Sequence, residues 1–571
     1  MVLTAAARRY PDHVAIKHEG DPIRYRELDI WSNRLAHHFI SAGLRPGDVV
    51  AVFMDTRPAV LAVVAAAAKA GGVAAMINSN QRKHVLIHSL RACDPVMYVV
   101  GEELCEAMDE VREELQEGLD DTARDRLFVV PDRDARDAGD DRATPEGYID
   151  LEQAARLAPR YLPMTCDRVQ LDDPCLDIFT SGTTGLPKAS IMSHNRWVKA
   201  GHVFGGLCLD LQPGETLYAP LPLYHNQALT LAWSSACTHG AAIALRRKFS
   251  VSKFWDDCRR HGASAFVYIG EIPRYLFNQA PDPADRDHSV RRIVGIGLRT
   301  DIWKQFKDRF GIDEIYELYA ASEMNIAFVN AMNLDCTVGW CPAPWALVRF
   351  DIDAGEPVRD ARGHFIRVGK GEVGLLIAEN TERYKFEGYT DPTATENKQF
   401  RDVFKDGDVW VNSGDLMRDI GFGHLQFVDR VGDTFRWKSE NVSTGEVELI
   451  INRFDDVAES TVYGVELPGA VGRAGMASLS PADQIEHIRL DELLGHMRSE
   501  LPTYAIPLFI RVSGPLEVTG TFKHRKVDLR QQGFDPGACP DPLFVLLPGA
   551  SAYQPLTAAI HDQIMAGDIS F

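Results

Sequence analysis

A chain of 571 residues, 45% hydrophobic and 25% charged, is long enough for two or more folded units and has an ordinary globular composition. Its formal net charge of -20 excludes a nucleic-acid partner, which needs a basic footprint, but leaves anionic substrates open because single lysines can still face them. Ten cysteines without a CxxC pair read as free, mostly buried thiols of a reducing compartment.

Arg8-Arg9 follow the first short apolar piece rather than precede it, so no secretory signal is read there. Asp29 to Ile40 reads as an amphipathic helix, with Leu28, Trp31, Leu35 and Phe39 on one face. Val49 to Met54 reads as a buried strand. A helix from Pro58 then carries an apolar run, Ala59 to Ala68, too short to span a bilayer. A Gly71-Gly72 break, a strand at Val73 to Ile77, another helix and a strand at Val96 to Val100 follow. This alternation predicts a mostly parallel sheet with helices on its faces. Residues 119–147, rich in Asp, Arg and Gly, read as a surface loop with some strand.

The strand run Cys175 to Phe179 leads into Phe179-Thr180-Ser181-Gly182-Thr183-Thr184-Gly185-Leu186-Pro187-Lys188. Glycines let the backbone turn its N–H groups toward a ligand, hydroxyls add donors, and Lys188 adds a positive charge. Together they describe a polyphosphate cradle. It is not a Walker loop, because no Gly-Lys-Ser/Thr follows at the required spacing. A plain Ser/Thr/Gly surface turn is the alternative, and it has no use for the lysine behind Leu186-Pro187.

Thr216 to Leu221 is a strand entering Pro222-Leu223-Tyr224-His225-Asn226, and Asn226 to Leu245 reads as a helix followed by a strand rather than a membrane span. Arg246-Arg247-Lys248 is either a solvated strand end or a contact to an anionic ligand. Ser264 to Ile269 and Ile293 to Gly297 are further strands, the latter ending in Gly295-Ile296-Gly297-Leu298. Tyr319-Ala320-Ala321-Ser322-Glu323 follows a strand at Ile315 to Leu318. A ring there can stack on a base, a hydroxyl can bind phosphate, and a carboxylate can hold a hard cation. Ser413-Gly414-Asp415 reads as a turn whose carboxylate suits a ribose diol. Asp429-Arg430 follows, with Asp429 open to a role as a helix or strand cap. Beyond Gly432 the character changes. A helix from Glu446, a two-stranded unit (Ser460 to Val465, Gly475 to Ser480), a helix at Leu490 to Leu501 and a strand at Leu508 to Val512 make a small α+β domain of about 140 residues.

The segment Phe179 to Lys188 resembles the phosphate-binding loop of the adenylate-forming superfamily. The similarity extends to Tyr319-Ala320-Ala321-Ser322-Glu323, where relatives carry Gly and Thr for Ala320 and Ser322. It includes Ser413-Gly414-Asp415 and Asp429-Arg430. Arg436 to Thr444 strongly resembles one branch, that of fatty acid transport proteins and very-long-chain acyl-CoA synthetases, and Phe254-Trp255-Asp256-Asp257, Tyr268-Ile269-Gly270-Glu271, Tyr463-Gly464-Val465 and Thr519-Gly520-Thr521-Phe522-Lys523 are similar to it too. The likeness runs from about Tyr10 to the C-terminus.

That resemblance implies an α/β fold: a large N-terminal adenylate-forming domain, residues 1–430, of stacked sheets with helices and a small β-barrel, and a small mobile α+β domain, residues 431–571. It implies an AMP-forming long-chain fatty acid–CoA ligase using ATP, Mg²⁺ and CoA. By the resemblance, Thr180 to Gly185 and Lys188 face the phosphates, Ser322 adds a hydroxyl and Glu323 holds Mg²⁺. Gly297 and Tyr319 hold adenine, and Asp415 and Arg430 hold ribose. His225 lies near the acyl carboxylate, and Lys523 is the catalytic lysine of the small domain, with Lys526 an exposed neighbour in a basic turn. Ser439 stands where relatives have the glycine beside the entry for CoA. Gly432 is expected at the pivot of the small domain. Two other readings remain: transfer of the acyl group to a carrier-protein thiol, and a lipid-uptake protein with vestigial catalysis. The expected location is cytoplasmic, with peripheral contact at the inner face of the membrane left open. The acid's chain length and the oligomeric state are not legible.

Overall fold

The computed structural model describes residues 2–116, 126–132, 143–181, 186–352, 354–438, 440–468, 470, 472–482, 485, 487–514 and 526–571. Two compact units account for the fold. One comprises residues 1–339 with 381–398, the other residues 340–380 with 399–571. The expected division at 430/431 falls inside the second.

The first unit holds two sheets. In the seven-stranded sheet the order is Ile149–Asp150, Leu127–Val130, Met97–Gly101, Val49–Phe53, Val73–Met76, Pro174–Ser181 and Pro187–Ser193. All neighbours are parallel except the last pair, which closes as a hairpin. The central strands are apolar throughout because helices cover both faces, as parallel sheets require. The helix Pro58–Ala70 is almost wholly buried, and its Lys69 has 0% of its side chain exposed. A buried ammonium is tolerated only when its donors are met. Lys69 donates to the Asp29 carboxylate at 2.7 Å and to Ser32 and Asn33 at 2.8 Å each, tying this helix to Tyr25–Ser41.

The eight-stranded sheet has six parallel strands in the order Glu314–Tyr319, Arg292–Ile296, Ala265–Ile269, Thr216–Ala219, Ala242–Leu245 and Val14–Lys17, with short antiparallel strands at both edges. The helix expected after Asn226 is present, but Gln227–Trp233 is wound as a π-helix before Ser234–His239 continues as α. Such wide turns are rare and recur at functional sites. In the basic triplet Lys248 is exposed, while the two arginines are engaged by acidic side chains. Arg246 pairs with Asp257 at 2.7 Å, and Arg247 pairs with Asp132 and, at 3.8 Å, with Asp55.

The second unit begins with antiparallel strands Trp345–Val348, Val373–Glu379, Val409–Gly421, Gln399–Arg401 and His424–Arg430 around a small core of Val348, Ile377, Val403 and Trp410. Its C-terminal part is built on Val457–Glu466 and Arg473–Pro481. The expected pair of strands is extended to five by Phe509–Val512, Leu543–Val545 and Gln554–Pro555. Phe435, Trp437, Tyr463 and Phe509 lie in the core against it. All ten cysteines are free, eight of them buried. Among the described residues no helix is long and apolar enough to cross a membrane.

Candidate active site

In the first unit the hairpin Pro174–Ser181 and Pro187–Ser193 sets Thr180 opposite Lys188 and Ser181 opposite Pro187. Gly182, Thr183, Thr184 and Gly185, which join the two strands, lie outside the described residues, and Ser181 is placed by its backbone alone. Lys188 reaches over the ring of Tyr389, with Nζ 5.7 Å from its centroid. Tyr389 is held there by a backbone bridge to Ser190 and by the Ile191 N–H donating to the Gly388 carbonyl at 3.2 Å. Burial, and then the charge of Glu323, push the Tyr389 phenol well above its ordinary pKa. Lys188 and Tyr389 are therefore neighbours beside the hairpin, with Glu323 near enough for its charge to act on the phenol.

Glu323 is aimed by the segment it sits on. The Ser322 carbonyl accepts from Ser190 Oγ and from the Arg196 guanidinium, each at 3.0 Å. Arg196 also donates to the Met324 carbonyl at 3.2 Å and pairs with Glu387 at 3.3 Å. Fixed charge-assisted donors on the carbonyls either side of Glu323 leave that residue little freedom. The Ser322 hydroxyl accepts from Asn226 Nδ2 at 3.1 Å, which brings the segment after His225 to the same place. The Asn226 side-chain Oδ1 is buried without a hydrogen-bond partner among the described residues. His225 Nδ1 lies 3.1 Å from the side-chain Oε1 of Gln227.

Tyr319 is buried at the end of Glu314–Tyr319, edge-on to Phe328 with 6.2 Å between ring centroids. Gly297 stands just beyond Arg292–Ile296 with φ +90. Its N–H donates to Glu317, a carboxyl that sequence reasoning did not single out.

In the second unit Asp415 and Arg430 are register partners, with Arg430 Nε 3.8 Å from Asp415 Oδ1. Ser413-Gly414-Asp415 is not a separate turn. It is a bulge within the strand Val409–Gly421, with Gly414 at φ +78. The Ser413 hydroxyl donates to the Leu376 carbonyl at 2.6 Å and accepts from the Asp415 N–H at 3.0 Å. Asp429 is taken up structurally. Its carboxylate accepts from the Thr434 hydroxyl at 2.9 Å and from the Thr444 N–H at 2.7 Å, at the start of the helix Thr444–Ile451.

Lys526 is not an exposed turn residue. Its side chain is 15% exposed and pairs with Glu448 at 3.0 Å and Asp433 at 3.8 Å. Burial pushes its pKa down, but Glu448, Asp433 and Asp429 outweigh that and hold it above the ordinary lysine value. Gly432 is not left-handed, and a Cβ there would meet nothing within 4 Å, so this conformation does not itself demand glycine. Lys523 and Ser439 lie outside the described residues.

The residues missed from sequence are Arg196, Asn226, Glu317 and Tyr389. Only Tyr389 left a signal, a Gly-Tyr-Thr step ahead of the Asp391-Pro392 helix cap, and nothing in the sequence tied that step to the hairpin.

Comparison with known proteins gives a consistent result. The AMP-binding enzyme family matches residues 3–376, and the AMP-binding enzyme C-terminal domain matches residues 446–523. A medium/long-chain-fatty-acid–CoA ligase of Mycobacterium tuberculosis is 44% identical over 562 residues, 98% of this chain and 90% of the relative. Long-chain fatty acid transport protein 2 of Rattus norvegicus is 39% identical over 578 residues, 99% of this chain and 90% of the relative. Among solved structures, ATP-bound MatB from Rhodopseudomonas palustris aligns with TM-score 0.76 at 21% identity, covering 93% of this chain and 98% of that one. That likeness shows a shared fold.

Proposed function

Because this chain belongs to the AMP-binding enzyme family, we propose that it activates a medium- to long-chain fatty acid, joining it to ATP and then to CoA. In the first step a carboxylate oxygen attacks the α-phosphorus of ATP, the bond to the bridging oxygen breaks, and pyrophosphate leaves with acyl-AMP behind. In the second the CoA thiol loses its proton and its sulfur attacks the acyl carbonyl, expelling AMP.

The observation that carries this reading is Lys188 beside Tyr389 at a Ser/Thr/Gly hairpin, with the charge of Glu323 acting on that phenol. Two anions must approach each other in the first step, so preorganised positive charge and donors supply most of the rate. Lys188 and the hairpin hold the leaving phosphates. Among the described residues no three His, Cys, Asp or Glu side chains cluster as a metal cage. That suits Mg²⁺, which takes one or two carboxylates and fills its shell with phosphate oxygens and water. Glu323 would hold it, and the ion would neutralise charge on the nucleotide. Gly297 and Tyr319 receive the purine, Asp415 and Arg430 the ribose hydroxyls. His225 orients the carboxylate, and Lys523 stabilises the oxygens where it meets phosphorus. Ser439 borders the path of CoA. The small domain, residues 431–571, turns between the two steps about Arg430 to Gly432. Peripheral contact with the inner face of the membrane, where long-chain acids partition, completes the proposal.

Release of AMP from ATP by the full chain, measured across saturated acids from medium to very long chain with CoA present, tests it. AMP release that rises with a fatty acid and requires CoA is expected, with pyrophosphate release halting after one turnover when CoA is withheld. Release of ADP, or AMP release indifferent to the acid, would sink it.

A further inference from the structure

Tyr268, Gly295 and Glu317 are register partners on three adjacent parallel strands. Partners in register point to the same face of a sheet. The middle one has no side chain, and the Tyr268 hydroxyl crosses the gap to the Glu317 carboxylate at 2.5 Å. Glycine is required at the crossing. A Cβ on Gly295 would lie 2.2 Å from the Tyr268 carbonyl oxygen and 2.6 Å from its ring. Glu317, only 3% exposed, then accepts from the Gly297 N–H and from the Leu298 N–H at 3.2 Å.

The far side of this turn is closed as well. The Gly270 N–H donates to the Ile296 carbonyl at 2.7 Å, and a Cβ on Gly270 would come within 1.9 Å of the Gly297 carbonyl oxygen. The left-handed Gly297 turns two N–H groups away from the sheet ladder, and those groups need an acceptor. Among the described residues Glu317 has no ion-pair partner, and burial raises its pKa to about 8. A buried carboxyl without a cation is a costly way to fill a core. Capping the turn is what offsets that cost.

We infer that Glu317 is a positioning residue for the nucleotide: with Tyr268 it locks the Gly297–Leu298 backbone as the ledge on which the purine rests. This rests on the reading of Gly297 as part of the adenine site. Glu317 touches no reacting atom; it acts through the turn.

The test is steady-state kinetics on the full chain, with ATP and fatty acid varied separately. Glu317→Ala leaves two N–H groups and a hydroxyl unmet. It should raise the KM for ATP about tenfold while the KM for the acid stays within about twofold. Glu317→Gln should restore ATP binding to within about threefold of the wild type, because its carbonyl accepts from both N–H groups and its amide reaches Tyr268. Tyr268→Phe, which removes one hydroxyl, serves if Glu317→Ala does not fold. It should raise the ATP KM about threefold. An unchanged ATP KM in the folded Glu317→Ala chain, or in Tyr268→Phe if that chain alone folds, overturns the inference. So does an equal rise in both KM values. Hydrogen exchange of the wild-type 295–299 segment with and without AMP separates two kinds of failure. Protection by AMP beside unchanged kinetics rejects Glu317 alone. No protection rejects the adenine-site reading and this inference with it.

Discussion

The two units both use strand register to fix candidate residues and differ in what lies beside it. In the first, Gly297 is set by strand register and steric exclusion, and Glu323 by donors from Ser190 and Arg196 onto one carbonyl. Little can shift there without breaking a sheet. In the second, Asp415 and Arg430 are register partners, but the segment just beyond them adds a charge cluster to its apolar core: Lys526 against Glu448 and Asp433, and Arg530 against Asp433 at 2.7 Å, while a Cβ on Gly432 would meet nothing within 4 Å. Ion pairs can be exchanged for others where packed strands cannot.

The largest effect that would sharpen this contrast is on Lys523, proposed as a charge that acts in one step only. Lys523→Ala should slow acyl-AMP formation by roughly 10²–10³, the cost of one preorganised donor, while thioester formation from supplied acyl-AMP survives. Equal losses in both steps would assign Lys523 to the fold. Next is Glu323→Gln, on the fixed side. It should slow acyl-AMP formation about tenfold or more and raise the Mg²⁺ concentration for half-maximal rate, with thermal unfolding unchanged. Normal Mg²⁺ dependence would remove Glu323 from the metal.

Lys526→Met probes the charge-held side. It leaves Glu448, Asp433 and Asp429 without their shared cation and should cost about 2–4 kcal/mol in denaturant unfolding. A loss below about 0.5 kcal/mol would make the cluster a surface ornament.

The smallest effect is on Asp177, buried in the strand that leads to the hairpin, where burial pushes its pKa to about 7. A raised folded pKa means the native state binds the extra proton. Stability from Asp177 is therefore full below its unfolded pKa of about 4 and is lost as pH rises through 7. Asp177→Asn should flatten that slope and stabilise the chain by about 1–3 kcal/mol at pH 8. A variant with the wild-type slope would show that the carboxyl is hydrated.

The placement of the hairpin and of the Tyr319 segment was legible because each is a run of chemically distinct residues beside a predicted strand, whereas Ser413-Gly414-Asp415 reads as a turn and lies within a strand. What stayed hidden was joined across space. Glu317 reaches Tyr268 over a glycine, and a glycine leaves no pattern. Tyr389 meets Lys188 through an isolated bridge to Ser190. Lys526 reads as exposed because its acidic partners lie on Thr444–Ile451 and beside Gly432. The strands Leu543–Val545 and Gln554–Pro555 are too short for a two-residue period to register. Gln227–Trp233 differs from an α-helix only in its winding, which side-chain periodicity over seven residues does not reveal.

The central claim is that this chain makes an acyl-adenylate before it makes a thioester. A single-turnover mixture of the full chain, Mg²⁺, ATP and one long-chain acid, without CoA, followed by mass spectrometry and then chased with CoA, tests it most directly. The account predicts one equivalent of acyl-AMP and one of pyrophosphate, then conversion to acyl-CoA and AMP on the chase. An acyl phosphate with ADP, or no acyl-AMP before CoA is added, would contradict it.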